Sequence, residues 1–105
     1  MVNLKKLAVG AKSLNNLKDF QNKKIMMNEN FYHITRQKPT RYQEILLGGS
    51  LYWIISNRFS ARQEIIGFED IFQSDGKRAC KIILKNELIE VENRKHRPFQ
   101  GWRYL

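Results

Sequence analysis

The sequence predicts one α+β domain in which two short helices pack on a curled sheet of mixed or antiparallel strands. Three observations support this fold class. The 105 residues are 42% hydrophobic, which is enough for a single core and argues against global disorder. Strand-like and helical segments alternate over the first half of the chain, whereas turn residues separate consecutive strand-like segments in the second half. Consecutive hairpins of this kind favour a sheet that curls toward a partial barrel.

The N-terminal part of the chain predicts a strand, a basic amphipathic helix and a second short strand. Residues 2–9 predict the first strand, which two lysines interrupt and Gly10 ends. Ser13 is a candidate N-cap for a helix that ends before Asn28, and residues 31–36 predict the second strand. The apolar residues expected on one face of the helix are Leu14, Leu17, Phe20 and Ile25.

The middle of the chain predicts a short helix followed by a central strand. Thr40 and Gln43 have the spacing of a capping box, and the glycines at positions 48 and 49 end the helix. Residues 50–56 are apolar on both faces of an extended chain, as expected for a strand that is covered on both sides.

The second half of the chain predicts consecutive strands joined by turns. A turn at residues 57–58 precedes a long strand from about residue 61 to residue 72, in which Gly67 indicates a bulge. The sequence Ser-Asp-Gly-Lys at residues 74–77 predicts a hairpin turn. Two further strands are expected over residues 78–85 and 88–91.

The C-terminal segment combines cations with aromatic rings. We expect a single domain over residues 1–93, with residues 94–105 as a basic, aromatic tail docked on it. Trp102 and Tyr104 alternate, as a final edge strand requires, so the rings of the tail can pack on the core. The same rings could instead stack on unpaired bases, and the sequence leaves this alternative open.

The net charge of +9 is unevenly distributed along the chain. Residues 1–47 carry +6 and residues 94–105 carry +4, whereas residues 48–93 carry −1. If the two basic ends meet on one face of the domain, that face attracts a polyanion such as a nucleic acid. The alternative is that the excess of lysine only keeps a small protein soluble.

Two groups of residues are candidates for contacts with RNA. Cations between the second strand and the second helix, and in the tail, can neutralise phosphates, while aromatic residues can stack on bases. The predicted phosphate contacts are Arg36, Lys38, Arg41, Arg94, Lys95, Arg97 and Arg103. The predicted stacking residues are Tyr32, Trp53 and Trp102.

Residues with catalytic or metal-binding chemistry are few. Cys80 alternates with apolar neighbours in a strand, so we expect a small core residue. A single cysteine also excludes an internal disulfide and a multi-cysteine zinc site. We therefore predict no catalytic set, no metal and no cofactor. An enzyme acting on a nucleotide or RNA remains an alternative, with His33 beside Arg36 or Arg62 in a cleft.

Several blocks of the sequence resemble a known family. These blocks are LKKLAVG at residues 4–10, YHITR at residues 32–36, GGSLYWII at residues 48–55, ARQ at residues 61–63 and RPFQGWRYL at residues 97–105. They are similar to an alphaproteobacterial family known only as domain of unknown function 1489. The resemblance covers nearly the whole chain and implies a bacterial protein of the cytosol, but it implies no activity.

A looser resemblance concerns architecture alone. A helix, a glycine-terminated turn and curled strands with basic edges are similar to the PUA-like folds, including the ASCH group, which commonly handle RNA. Together with the charge distribution, this favours a non-enzymatic RNA-binding module that is cytoplasmic, associated with the ribosome and without a membrane partner. The alternative is an assembly subunit of a larger complex, whose basic ends meet acidic partner surfaces.

Overall fold

A computed structural model of the chain describes residues 1–25 and 30–105. In these residues the backbone forms two helices and seven strands. In chain order they are β1 (Leu4–Leu7), α1 (Leu14–Ile25), β2 (Tyr32–Thr35), α2 (Tyr42–Ile45), β3 (Ser50–Ile55), β4 (Arg58–Phe72), β5 (Arg78–Leu84), β6 (Ile89–Glu90) and β7 (Trp102–Tyr104). The elements follow the predicted order, and the C-terminal segment adds β7.

All seven strands belong to one mixed sheet. Its strand order is β2-β5-β4-β3-β1-β7, and β6 pairs with β4 beside this path. β1 runs parallel to β3, and every other described pair is antiparallel. β2 and β7, the two ends of the path, do not pair with each other, so the sheet stays open. The predicted α+β class, with two short helices and a mixed sheet, is confirmed.

The start of α1 agrees with the sequence prediction. Ser13 Oγ accepts a hydrogen bond from the backbone N–H of Asn16 at 3.0 Å. This bond satisfies one of the N–H groups that have no partner within the helix. The predicted end of the helix before Asn28 and the predicted packing of the Ile25 side chain lie outside the described residues.

The buried face of α1 differs from the predicted one at Phe20. Leu17 is buried, but Phe20 is 42% exposed, and Gln21 is buried instead. At about 100° of rotation per residue, Gln21 lies between Leu14 and Leu17 around the helix, whereas Phe20 lies well outside that arc. The predicted spacing of i, i+3 and i+6 therefore follows the buried face only as far as Leu17.

The second helix contains only Tyr42–Ile45, and the capping box predicted at its start is wrong. Arg41 occupies the N-cap position and makes no side-chain capping bond. Thr40 Oγ1 instead lies 3.2 Å from the Tyr104 hydroxyl of β7. The helix ends at Ile45, two residues earlier than the predicted end at Leu47, and Gly48 in the turn that follows adopts a left-handed φ of 104° that glycine tolerates.

The central position predicted for β3 is confirmed. This strand lies between β1 and β4, and five of its six residues are buried. The hairpin to β4 turns at Ser56 and Asn57, whose φ angles of 50° and 62° place the turn one residue earlier than predicted. β4 consequently begins at Arg58 and is 15 residues long. Its register against β5 shifts between Ile65 and Gly67, which confirms the predicted bulge.

The predicted turn at residues 74–77 joins β4 to β5. Asp75 Oδ1 accepts a hydrogen bond from the backbone N–H of Lys77 at 3.0 Å, which closes the turn. Cys80 and the two apolar residues that alternate with it on β5 are all buried, so Cys80 is the core residue that the sequence predicts. Burial raises the pKa of the Cys80 thiol, as is typical of an unreactive cysteine.

The C-terminal segment is integrated into the sheet. β7 pairs antiparallel with β1, and beyond this ladder Leu105 N–H donates to the carbonyl of Asn3 at 2.9 Å. At the other end of the segment, Phe59 N–H donates to the carbonyl of Arg94 at 2.9 Å. The segment is therefore docked near both of its ends, and its last aromatic residues lie on an edge strand of the sheet.

A buried polar network joins α1 to the sheet. Gln63 is fully buried, and its Oε1 accepts hydrogen bonds from Trp53 Nε1 at 2.9 Å and from Gln21 Nε2 at 3.0 Å. Its Nε2 donates to Gln21 Oε1 at 2.7 Å and to the carbonyl of Lys85 at 2.9 Å. This pairing of two amides explains why Gln21, rather than Phe20, faces the sheet.

Replacement of Gln63 tests this network. We expect Gln63→Leu to lower the free energy of unfolding by about 3 kcal/mol, because Trp53 and Gln21 would lose buried partners at about 1–3 kcal/mol for each unsatisfied group. Urea unfolding followed by tryptophan fluorescence measures the change. The control is Gln43→Leu on exposed α2 surface, with an expected change within about 0.5 kcal/mol. A Gln63→Leu protein as stable as this control would contradict the role of the network.

Candidate nucleic-acid interface

A cleft of about 820 Å³ opens between the two unpaired edges of the sheet. One wall is formed by residues 33–37, at the end of β2 and in the loop that follows it. The other wall is formed by residues 100–104, which include β7, and Lys6 of β1 completes the lining. The cleft exists because β2 and β7 approach each other without forming a ladder.

Two aromatic side chains of β7 hold the two sides of the cleft together. Trp102 Nε1 donates a hydrogen bond to the carbonyl of Gln37 at 3.0 Å. The Tyr104 hydroxyl lies 3.2 Å from Thr40 Oγ1 and accepts a hydrogen bond from the backbone N–H of Arg41 at 3.1 Å. Both rings are therefore oriented by the segment between β2 and α2 before any ligand binds.

Lys6 places an ammonium group on the inner side of the sheet. The residue alternates with Leu4 along β1, is only 8% exposed, and pairs in register with Trp53 of β3 and Trp102 of β7. Burial lowers the pKa of the Lys6 ammonium because the charged form loses its water. None of the described residues that line the cleft carries a carboxylate. Arg36 adds a second cation to the lining, so the cleft favours an anion.

The opposite face of the same strands carries a row of cations around one tyrosine. In register order from β7 to β4, the row is Arg103, Lys5, Tyr52 and Arg62. Because Lys5 and Lys6 are adjacent on β1, they face opposite sides of the sheet. Arg103 also lines the cleft at the edge of β7, so the basic surface continues from the cleft around that edge.

Aromatic rings of the C-terminal segment cover part of this outer face. The His96 ring lies edge-on to Phe59 and Phe99, with centroids 5.3 and 5.1 Å away. Lys5 Nζ lies 2.6 Å from His96 Nε2, and the Arg103 guanidinium carbon lies 6.0 Å from the centroid of Phe99. The segment thus packs through its rings and keeps cations beside them, whereas stacking of these rings on bases stays a prediction.

A known protein family matches nearly the whole chain. The family described as a protein of unknown function, DUF1489, matches residues 4–105. The chain belongs to this family. The match extends from β1 to β7 and therefore includes both walls of the cleft. No curated protein and no solved structure matches the chain significantly, so the similarity to PUA-like folds stays a prediction.

Three of the predicted RNA contacts in this DUF1489 protein come together at the cleft. Arg36, Trp102 and Arg103 all contribute to its lining. Arg41 lies beside them, with its guanidinium carbon 5.9 Å from the centroid of Tyr104, but its Nε also bonds to Glu44 Oε2 at 3.0 Å. Cations from the two basic ends of the chain therefore meet on one face, which is the condition under which the charge distribution predicts attraction of a polyanion.

The other predicted cations lie outside the cleft. Lys38 Nζ is 4.0 Å from the centroid of Tyr42 and 4.0 Å from the Asp70 carboxylate, so this ammonium already has an acidic neighbour. The remaining predicted cations follow the course of the C-terminal segment beside the β3–β4 hairpin: Arg94, Lys95 and Arg97. Their contacts with phosphate stay predictions.

The predicted stacking role of Trp53 requires correction. Its ring is only 3% exposed and its Nε1 bonds to Gln63, so neither of its faces is open to a base. Tyr32 is half-buried outside the cleft, and Lys81 Nζ lies 4.2 Å from its ring centroid. Of the three predicted stacking residues, Trp102 is the one that lines the cleft.

Residues of the predicted enzyme alternative are only partly assembled. His33 and Arg36 both line the cleft, whereas Arg62 belongs to the outer row. The His33 ring lies edge-on to Trp53, with centroids 6.0 Å apart. Among the described residues, no three His, Cys, Asp or Glu side chains form a group that could hold a metal ion. No helix in the same residues is long and apolar enough to cross a membrane.

Lys6 is the cation in the described lining of the cleft that the sequence prediction missed. It looks like an interruption of the first strand, yet Leu4, Lys6 and Ala8 alternate at a period of two and all are buried. That alternation is the sequence signal for a lysine on the core side. The contact between Trp102 and Gln37 has no such signal, because the accepting group is a backbone carbonyl.

Removal of the buried charge should change stability in a pH-dependent way. We expect Lys6→Met to stabilise the protein at neutral pH by on the order of 1 kcal/mol, because Lys6 has no acidic partner among the described residues and burial of an unpaired charge is costly. Between the lowered pKa of Lys6 and the ordinary lysine value of 10.5, the unfolded state binds more protons than the folded state. The free energy of unfolding of the wild type therefore increases relative to that of Lys6→Met as pH rises through this window.

Urea unfolding of both proteins at a series of pH values measures this effect. The advantage of Lys6→Met should shrink as pH approaches 10.5. Lys77→Met removes the same charge at an exposed position in the turn between β4 and β5. Its difference in stability from wild type should stay constant over the same pH range. A stability difference between Lys6→Met and wild type that does not vary with pH would contradict a lowered pKa of Lys6 in the folded protein.

Proposed function

We propose that this protein is a small, non-enzymatic RNA-binding module, and that single-stranded RNA follows the basic surface from the cleft around the edge of β7. The observation that carries the proposal is one cleft that joins the ammonium of the mostly buried residue Lys6 to the oriented ring of Trp102, with no carboxylate among its described lining residues. Cations neutralise phosphates, and aromatic rings stack on bases at about 1–3 kcal/mol per base. The cleft supplies both kinds of contact side by side.

Unpaired RNA suits this surface better than a duplex. An aromatic ring can stack only on a base whose face is open, and neighbouring base pairs cover those faces in a duplex. Gln37 and Gln100 also line the cleft, and their amides can bond to a 2′-hydroxyl or to a base edge. A cytoplasmic, ribosome-associated setting, expected from the sequence, completes the proposal.

A second candidate function is an enzyme that acts on a nucleotide or RNA. It is favoured by His33, which shares the cleft with Arg36 and Lys6. An imidazole can transfer protons, and two cations can stabilise negative charge that develops on a phosphate. Turnover of end-labelled RNA that is lost in a folded His33→Ala protein would support this candidate, whereas unchanged turnover would exclude His33 from it.

Salt-dependent binding tests the RNA proposal. Wild-type protein should prefer single-stranded RNA over matched DNA and heparin, with an affinity that falls steeply as salt increases. Arg36→Gln combined with Arg103→Gln should weaken binding and reduce the slope of log K against log salt by about 1.4, since each lost single-strand phosphate contact contributes about 0.7. Fluorescence anisotropy at several salt concentrations measures both quantities.

The matched control for this pair is Lys77→Gln combined with Arg78→Gln, two exposed cations at the end of the β4–β5 turn and the start of β5. An equal loss of RNA affinity in the control pair would mean that the surface charge attracts polyanions without a specific site. Equal binding to all polyanions that vanishes near physiological salt would have the same meaning. Retention of a defined acidic protein after nuclease treatment would then favour the assembly-subunit alternative. Substitution is preferable to deletion of residues 94–105, because that deletion removes β7 from the sheet.

A further inference from the structure

The cleft contains a cation that forms no ion pair with any acidic residue in the described part of the chain. Lys6 is 8% exposed, the lining of the cleft has no carboxylate, and none of the ion pairs among the described residues includes Lys6. The other charged or titratable groups in the lining are His33 and Arg36 on one side and Arg103 and Tyr104 on the other. An anion is therefore the ligand group that best complements this position.

The neighbour of Lys6 identifies what the anion is attached to. Trp102 is the direct antiparallel partner of Lys6 in the ladder between β1 and β7. Directly opposed side chains on one face of such a pair have Cβ atoms about 4.5–5.5 Å apart. An ammonium group and an indole ring that stand side by side match the phosphate and the base of a single nucleotide.

Hydrogen bonding within the protein limits how the base is recognised. The indole N–H of Trp102 is donated to Gln37, and the hydroxyl of Tyr104 is occupied by Thr40 and Arg41. A ligand can therefore contact the two rings only through their aromatic surface, of which Trp102, half-buried against the core, exposes a part and Tyr104 exposes 37% of its residue surface. Because every base has a π-face, contacts of this kind discriminate little between bases.

The size and position of the cleft agree with one nucleotide of a longer strand. Its volume of about 820 Å³ falls within the range of about 300–1,000 Å³ that is typical of small-molecule sites. It also opens at the edge of the sheet, where Arg36 and Arg103 can contact the phosphates of neighbouring nucleotides. A strand can therefore enter and leave while one nucleotide occupies the cleft.

We infer that the cleft binds one unpaired nucleotide of an RNA strand, with its phosphate on Lys6 and its base on Trp102, and with little preference among bases. This inference rests on the proposed RNA-binding function and deepens it. A phosphate beside Lys6 favours the ammonium form, so binding raises the affinity of Lys6 for its proton.

The experiment follows the Lys6 side chain directly by NMR, in protein labelled at the lysine side-chain carbons. The Lys6 Cε resonance, assigned by its absence in Lys6→Met, is titrated with pH alone and with saturating short oligouridylate or oligoadenylate. We expect both oligonucleotides to raise the apparent pKa of Lys6 and to bind with affinities within about fivefold of each other. Uridine 5′-monophosphate should also raise the apparent pKa of Lys6, but more weakly. Uridine without phosphate should leave the Lys6 titration unchanged.

Affinity measurements complete the test. Lys6→Met should bind oligouridylate about tenfold more weakly, as expected for loss of a charge-assisted contact, whereas Lys77→Met should bind like wild type. Lys6→Arg keeps the charge and should retain more affinity than Lys6→Met. Free nucleotide that binds as tightly as the oligonucleotide and shifts Lys6 equally would contradict a strand as the ligand.

Two outcomes separate the inference from the function on which it rests. RNA binding that persists in wild type and Lys6→Met alike, with an unchanged Lys6 titration, would overturn the inference and leave the RNA-binding proposal standing. Failure of wild-type protein to bind RNA in preference to heparin would remove the RNA-binding proposal itself. A strong preference for one base would contradict the stacking argument made from Trp102 and Tyr104.

Discussion

The hydrogen bond from the Trp102 indole to the carbonyl of Gln37 is the contact on which the shape of the proposed binding face depends. β2 and β7 are the two ends of the strand order and share no ladder. A ladder between them would close the sheet and fill the cleft, whereas wider separation would move the β2 wall away from the rings of β7. This bond, supported by the Tyr104 hydroxyl on the α2 side, keeps the gap open at a defined width.

The proposed function accounts for a charge at a position of β1 that suits an apolar residue. Lys6 alternates with two buried apolar residues on β1, and its lowered pKa reflects the cost of removing water from the ammonium. Departures from local sequence rules of this kind are typical of functional positions, where a ligand supplies the missing interaction.

The sequence predicts local features well and long-range ones poorly. The Ser13 cap, the Gly67 bulge and the central position of β3 depend on residues close together in sequence, and all three are confirmed. The burial of Gln21 in place of Phe20 depends on a partner 42 residues away, which helical spacing does not reveal. The cleft depends on the parallel pairing of β1 with β3 and on β7 joining β1, and no local pattern encodes either pairing. The basic, aromatic segments that form the two walls of the cleft were therefore predictable, but not their assembly around Lys6.

Photo-cross-linking of RNA to the wild-type protein tests the central claim most directly, because it locates the bound strand without altering any residue. Single-stranded RNA that contains 4-thiouridine is irradiated in complex with the protein, and the cross-linked peptides are identified by mass spectrometry. The proposed surface predicts cross-links in residues 33–37 and 100–104, the two walls of the cleft. Cross-links confined to α1 or to the β4–β5 hairpin, with both walls unmodified, would contradict it.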